Sequence, residues 1–179
     1  SYVLELLEKA KETCADPVVL VEQRVDFSRF VENGFGTADC IIISDGAMNI
    51  VDYKHGKGVE VFAEGNPQMM LYALGTLEIF DGIYDIDEVR MTIFQPRIGN
   101  ISVSGMSKDA LLEWANGELT EKAALAYEGG GEFACGDWCR FCKAKAVCRK
   151  RAEENLKMAQ YDFASADTLD ETEIAAILD

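Results

Sequence analysis

The sequence predicts an α/β fold of the mixed α+β kind, a central mixed β-sheet flanked by helices. Three observations predict it. Short β-branched runs recur at 18–27, 36–54, 88–95 and 101–104. Stretches with helical spacing of apolar residues lie before, between and after them. One such helix, 67–80, separates a hairpin-linked set of strands from a further strand, as a crossover in a mixed sheet would.

The elements follow in order. Val3, Leu6, Leu7 and Ala10 space out a helix from Tyr2 to about Thr13, ended by Pro17. Val18 to Phe27 reads as a strand carrying Glu22, Gln23 and Arg24, and Asn33-Gly34 marks a turn. Gly36 to Lys54 reads as two strands joined at Asp45-Gly46, a strong hairpin step. Gly56 and Gly58 break the chain, and Val59 to Ala63 reads as a short strand or loop edge. Asn66 caps and Pro67 opens the crossover helix, which Asp81-Gly82 ends. Ser107 caps a helix of about twenty residues, with Gly117 weakening its middle. Gly129-Gly130-Gly131 is a break, followed by a cysteine segment, a basic helix from about Ala144 and an acidic tail in which Asp170 to Leu178 can form one more helix.

The chain is therefore read as one structural domain in three stretches: a core over 1–130, a cysteine segment over 131–160 and a tail over 161–179. Its first residue is Ser, which suits a fragment of a longer chain. No apolar run reaches the roughly 18 residues of a membrane span, and the acid-bearing first stretch does not read as a signal peptide. The expectation is a cytoplasmic protein without a membrane partner. With 32 acids against 17 Lys and Arg, the net charge of −15 excludes bulk electrostatic coating of nucleic acid. Charge is segregated, however: 140–151 holds six basic residues and no acid.

The hairpin carries the chemistry. Pairing about Asp45-Gly46 sets Asp39 opposite Asp52. Asp52 and Lys54, two apart, point to one face. Two carboxylates suit a hard cation such as Mg²⁺ or Mn²⁺, with Glu22 of the preceding strand as a third ligand and Lys54 serving water or phosphate. A strand-end Asp is more often a cap or a solvated charge, and Asp-x-Lys is common. Gln68 and Tyr72, four apart on the next helix, share a face and can reach a phosphate; simple helix packing is the plainer account of that pair alone.

Cys135, Cys139, Cys142 and Cys148 fall within fourteen residues, in a polar stretch where clustered thiols suit metal ligation. Four thiolates serve Zn²⁺ or an iron–sulfur cluster alike. Cys40, inside an apolar strand, reads as a buried free thiol. His55, the lone histidine, reads as a loop residue or an aid to the site.

Gly36-Thr37-Ala38-Asp39, Asp52-Tyr53-Lys54 and Gln68-Met69-Met70-Leu71-Tyr72 resemble three successive motifs, G-x-x-D, (D/E)-x-K and Q-x-x-x-Y. They belong to the RecB-type exonuclease branch of the PD-(D/E)XK nuclease superfamily. The resemblance covers roughly residues 18–95 and looks most like phage or prophage members. It implies a restriction-endonuclease-like core with a helical, cysteine-containing extension. It also implies divalent-metal-dependent DNA hydrolysis, with Asp39, Asp52, Lys54, Gln68 and Tyr72 catalytic and the Tyr53 carbonyl as an added ligand. DNA is then the partner, with a helicase or recombinase beside it. Cys139-x-x-Cys142 and Cys148 are similar to the cysteine triplet of iron–sulfur members, which implies a 4Fe–4S cluster, with Cys135 or Cys14 as fourth ligand and Zn²⁺ as the alternative. The competing expectation is a catalytically silent DNA-binding or assembly module stabilised by the same cysteines.

Overall fold

A computed structural model describes residues 2–14, 16–162 and 170–172. The described chain divides at Gly130/Gly131 into two compact units. In the first, α1 (Tyr2–Thr13), β1 (Val18–Asp26), β2 (Phe35–Ser44) and β3 (Gly46–Tyr53) precede α2 (Pro67–Phe80). Then come β4 (Ile86–Gln95), β5 (Asn100–Ser107), α3 (Lys108–Trp114) and α4 (Thr120–Tyr127). The strands form one five-stranded mixed sheet in chain order, and only the β3–β4 pair is parallel.

Helices cover both faces, because alternate side chains of the central strands are apolar on both sides. Ile41, Ile43, Met48, Ile50, Met91 and Ile93 pack with Met69, Leu74 and Leu77 of α2. Cys40, Ile42 and Val51 point the other way and are covered by Leu6, Leu7 and Ala10 of α1. Each fully buried Leu, Ile or Met contributes about 1.5–3 kcal/mol relative to exposure. The β2–β3 turn uses Gly46 at φ 83, a conformation that a side chain would strain.

The crossover helix begins and ends where its local signals put it. The Asn66 side chain accepts from the N–H groups of Gln68 and Met69, and Pro67 occupies the first turn. The predicted twenty-residue helix after Ser107 is helical throughout, but 115–119 is a π-helical segment containing Gly117. The weak helix former sits where the helix widens, as short π segments allow. Residues 59–63 form no strand. The Gln95 side chain accepts from Val61 N–H and donates to the Val59 carbonyl, while Ser102 Oγ accepts from Ala63 N–H. Asn100 Nδ2 donates to the Val61 carbonyl as well. Side chains thus satisfy this arm's main chain in place of a ladder.

The second unit contains a short 3₁₀ turn, Asp137–Arg140, and α5 (Arg149–Asp162). The basic helix begins at Arg149 rather than near Ala144. Lys145 N–H bonds to the Cys142 carbonyl and Val147 N–H to that of Ala144, so 142–147 is a succession of turns. The stretch 170–178 lies outside the described residues except for 170–172. Among the described residues no helix is long and apolar enough to cross a membrane.

Candidate functional site

The β2–β3 register pairs Cys40 with Val51, which places Asp39 and Asp52 at the next facing positions. Asp39 is half-buried, and its Oδ2 accepts a 2.7 Å hydrogen bond from the N–H of Tyr53. That bond ties the start of β2 to the end of β3. Asp52 is buried on the α2 face. Lys54 Nζ stands 2.8 Å from Asp52 Oδ2, yet off the line of a hydrogen bond, so this enclosed oxygen accepts none among the described residues.

From Lys54 the contacts run into α2. Lys54 Nζ donates to Gln68 Oε1 at 3.2 Å, and Gln68 Nε2 donates to Tyr72 Oη at 3.0 Å. The Gln68 amide is therefore held at both ends, its oxygen toward the ammonium. Tyr72 is seated in turn by Gly36: a Cβ built there would lie 2.4 Å from Tyr72 Cε1. The ring occupies the space that any other residue at 36 would fill. Gly36, Asp52, Lys54, Gln68 and Tyr72 thus form one continuous set of contacts.

Glu22 is placed differently. Val21 pairs with Cys40 and Gln23 with Ala38, so Glu22 holds the register position across from Asp39. Its φ is 50, a left-handed backbone inside a strand, and its side chain is exposed. No hydrogen bond or ion pair joins it to Asp39 or Asp52 among the described residues. Such an outlier within a sheet is a local strain of the kind found beside functional sites.

The donor set fits a hard cation. Carboxylate oxygens of Asp39 and Asp52, and the carbonyl of Tyr53, the residue between Asp52 and Lys54 in the chain, are of the kind that Mg²⁺ and Mn²⁺ take. The unbonded Asp52 Oδ2 is the oxygen left for such a ligand role. No group of three His, Cys, Asp or Glu stands as a ready-made metal shell among the described residues.

In the second unit the Cys135 thiol is raised above the ordinary cysteine range by burial, then by the nearby Cys139 thiol, and by Cys148 and Glu154; Cys135 and Cys139 line one cavity. Cys139, Cys142 and Cys148 all line a cavity of about 470 Å³ whose other walls include Phe133, Trp138 and Val147. Cys40 is buried under α1, and burial, then Asp39, pushes its thiol up. Cys14 follows α1 in the first unit.

Two features of the site have no local signal in the sequence. One is the Gln95–Asn100 clasp, in which Asn100 Nδ2 also donates to Gln95 Oε1 at 2.8 Å. It holds the arm that joins Lys54 to the start of α2. The other is the seat that Gly36 gives Tyr72, which needs the register of β2 against α2. A cavity of about 480 Å³ between 28–33 and α4 shares no residue with this site.

The chain belongs to the DUF2800 family, described as a protein of unknown function, whose profile matches residues 1–179. It is also similar to a solved structure described as "Crystal structure of SSO0001". The two share 14% identity at a TM-score of 0.39, over 83% of this chain and 67% of that one.

Proposed function

We propose that this protein is a divalent-metal-dependent deoxyribonuclease of the PD-(D/E)XK type, with the restriction-endonuclease-like core of that superfamily. The observation that carries the reading is the contact set Gly36–Tyr72–Gln68–Lys54–Asp52. Residues from three separate motifs meet at one strand end, in the order that the resemblance implies. A helix-packing Gln or a solvated Lys has no reason to join such a set.

Asp39, Asp52 and the Tyr53 carbonyl hold the cation in this reading, with Glu22 as an outer contributor. Bound there, the cation lowers the pKa of a water and offsets phosphate charge. The chain's own residues do the rest. Lys54 has three N–H donors. Asp52 and Gln68 orient the ammonium, which leaves hydrogen-bonding capacity for the attacking water or a phosphate oxygen. Gln68 fixes the lysine's direction, and Tyr72 fixes the Gln68 amide. The Tyr72 hydroxyl accepts from Gln68, so its own O–H is available to a phosphate oxygen. DNA is the substrate in this reading, met at one local site rather than over a basic surface.

The second unit is ordered by a metal centre held by Cys135, Cys139, Cys142 and Cys148, a 4Fe–4S cluster or Zn²⁺. The cavity that Cys135 and Cys139 line together favours Cys135 as the fourth ligand. Visible absorption and metal content of protein purified without oxygen separate the two centres.

The test of the site is Mn²⁺- or Mg²⁺-dependent degradation of labelled DNA. Lys54→Ala and Asp52→Ala are each expected to lower the rate on the order of 10²-fold or more. Equal activity in wild type and both variants overturns the assignment, and DNA binding without cleavage in all three favours the silent module.

A further inference from the structure

We propose that the sheet face behind the catalytic strand end is a stacking ledge for the unpaired bases of single-stranded nucleic acid. The proposal rests on the phosphodiesterase reading above and names how that site meets its strand. The register builds the ledge. Tyr53 of β3 pairs with Phe94 of β4, and Phe94 pairs with Ile101 of β5. Paired residues share a face, so these three side chains stand in one row across three strands. Val103, two residues on from Ile101, lengthens the row. Tyr2 stacks on Phe94 at 5.9 Å between centroids, with 22° between the planes. His55 lies nearly parallel to Tyr53, 24° between planes at 6.0 Å, its Nδ1 3.2 Å from the Tyr53 hydroxyl.

The ledge is open. Helix α1 covers Cys40, Ile42 and Val51 of the same face. Tyr53, Ile101 and Val103 remain 49%, 47% and 56% exposed. In a folded chain an aromatic and β-branched strip of this kind marks a surface that meets something.

Three features select bases as the occupant. The first is continuity: Tyr53 is the residue between Asp52 and Lys54, so the ledge begins one residue from the place of the scissile phosphate, around the end of β3. The second is charge. None of the six ledge residues is acidic in a chain of net charge −15, and 53–58 carries Lys54, His55 and Lys57 with no acid. The third is chemistry. Every base offers a π-face to an aromatic ring, and only a single strand has base faces free to give. Paired bases in a duplex stack on each other instead.

The test is fluorescence anisotropy of a labelled short oligothymidylate and of an abasic oligomer of the same length. No divalent cation is added, so that no strand is cut. The wild type is expected to bind the oligothymidylate about tenfold more tightly than the abasic strand. Tyr53→Ala is expected to abolish that ratio, Ile101→Ser to lower it, and Tyr53→Trp to keep it. Thermal unfolding by circular dichroism verifies that each variant is folded. Ile101→Ser changes an exposed edge position, so it keeps the test alive if Tyr53→Ala unfolds. Equal wild-type affinity for both oligomers overturns the ledge, as does a ratio that survives Tyr53→Ala and Ile101→Ser. Concentration-dependent self-association that Ile101→Ser removes, with no base preference, overturns it in favour of a protein contact. Metal-dependent DNA cleavage is scored separately: cleavage without base preference rejects the ledge alone, and base preference without cleavage rejects the nuclease reading alone.

Discussion

The two units of this chain bury their side chains to different extents. In the first, the functional side chains stand on a core: Lys54 reaches Gln68 on a helix whose Met69, Ala73 and Leu74 are buried against the sheet. Among the described residues the second has no such core. Every residue that is buried among the described ones lies at or before Ala115. Phe133 and Val147 are 82% and 85% exposed, and Trp138 and Phe141 are exposed too. A stretch this short that buries so little apolar surface requires another source of order, and a metal held by thiolates is the common one. The contrast teaches where each unit's stability resides. The first carries it in side-chain packing, and in the reading proposed above a metal centre on four cysteines would supply that of the second.

The largest expected effect breaks the second unit. Cys139→Ser removes the thiol that lines one cavity with Cys135 and the apolar cavity with Cys142 and Cys148. A structural metal site contributes on the order of 10 kcal/mol to the order of a small unit. Limited proteolysis of Cys139→Ser is therefore expected to cut rapidly within 131–148 and to leave a resistant fragment that retains the first unit. Wild-type resistance in this variant would show that the thiols do not hold the unit together.

A smaller effect probes the first unit at its site. Gly36→Ala forces a methyl group into the Tyr72 ring, with only 2.4 Å available. The ring must move, and overpacking of this kind costs about 1–3 kcal/mol. Because Tyr72 holds the Gln68 amide that holds Lys54, cleavage is expected to fall more steeply than stability does. Chemical denaturation and the DNA-cleavage rate, measured on the same preparation, separate the two. A stability loss with unchanged cleavage would mean that Tyr72 does not position the lysine.

How much of the fold and the site is legible in the sequence depends on whether the signal is local. The crossover helix is readable at both ends, because Asn66-Pro67 and Asp81-Gly82 are short-range signals with a physical cause. The facing of Asp39 and Asp52 follows from one turn, since the hairpin register is fixed by Asp45-Gly46. The Gln95 clasp is not readable. It joins residues 59–63 to Gln95, Asn100 and Ser102 through side chains, and no periodicity encodes that. The alternation in Val59, Val61 and Ala63 imitates a strand for the same reason. The basic helix starts later than its propensity predicts, because 144–148 yields to the turns that bring Cys142 and Cys148 to one cavity. The ledge gathers residues 2, 53, 94 and 101, which only the pairing of β3, β4 and β5 brings together.

The smallest expected effect is a gain, and it asks how fully the core of the first unit is optimised. Thr92 of β4 is buried between Val51 and Val103, and its Oγ1 has no hydrogen-bond partner among the described residues. Among the described residues Asp52 Oδ2 is the other enclosed oxygen of this kind, but it faces the Lys54 ammonium and belongs to the site. The Thr92 hydroxyl has no such purpose, so it is a pure desolvation cost. Valine keeps the β-branched shape, and with it the strand preference, while removing the unpaired oxygen. Thr92→Val is expected to raise stability by about 1 kcal/mol, read as a higher urea midpoint at unchanged slope. DNA cleavage should not change, because Thr92 points to the face opposite Lys54. A midpoint that falls would show that the hydroxyl is bonded to a buried water, and that the core under α1 is wetter than its apolar neighbours suggest.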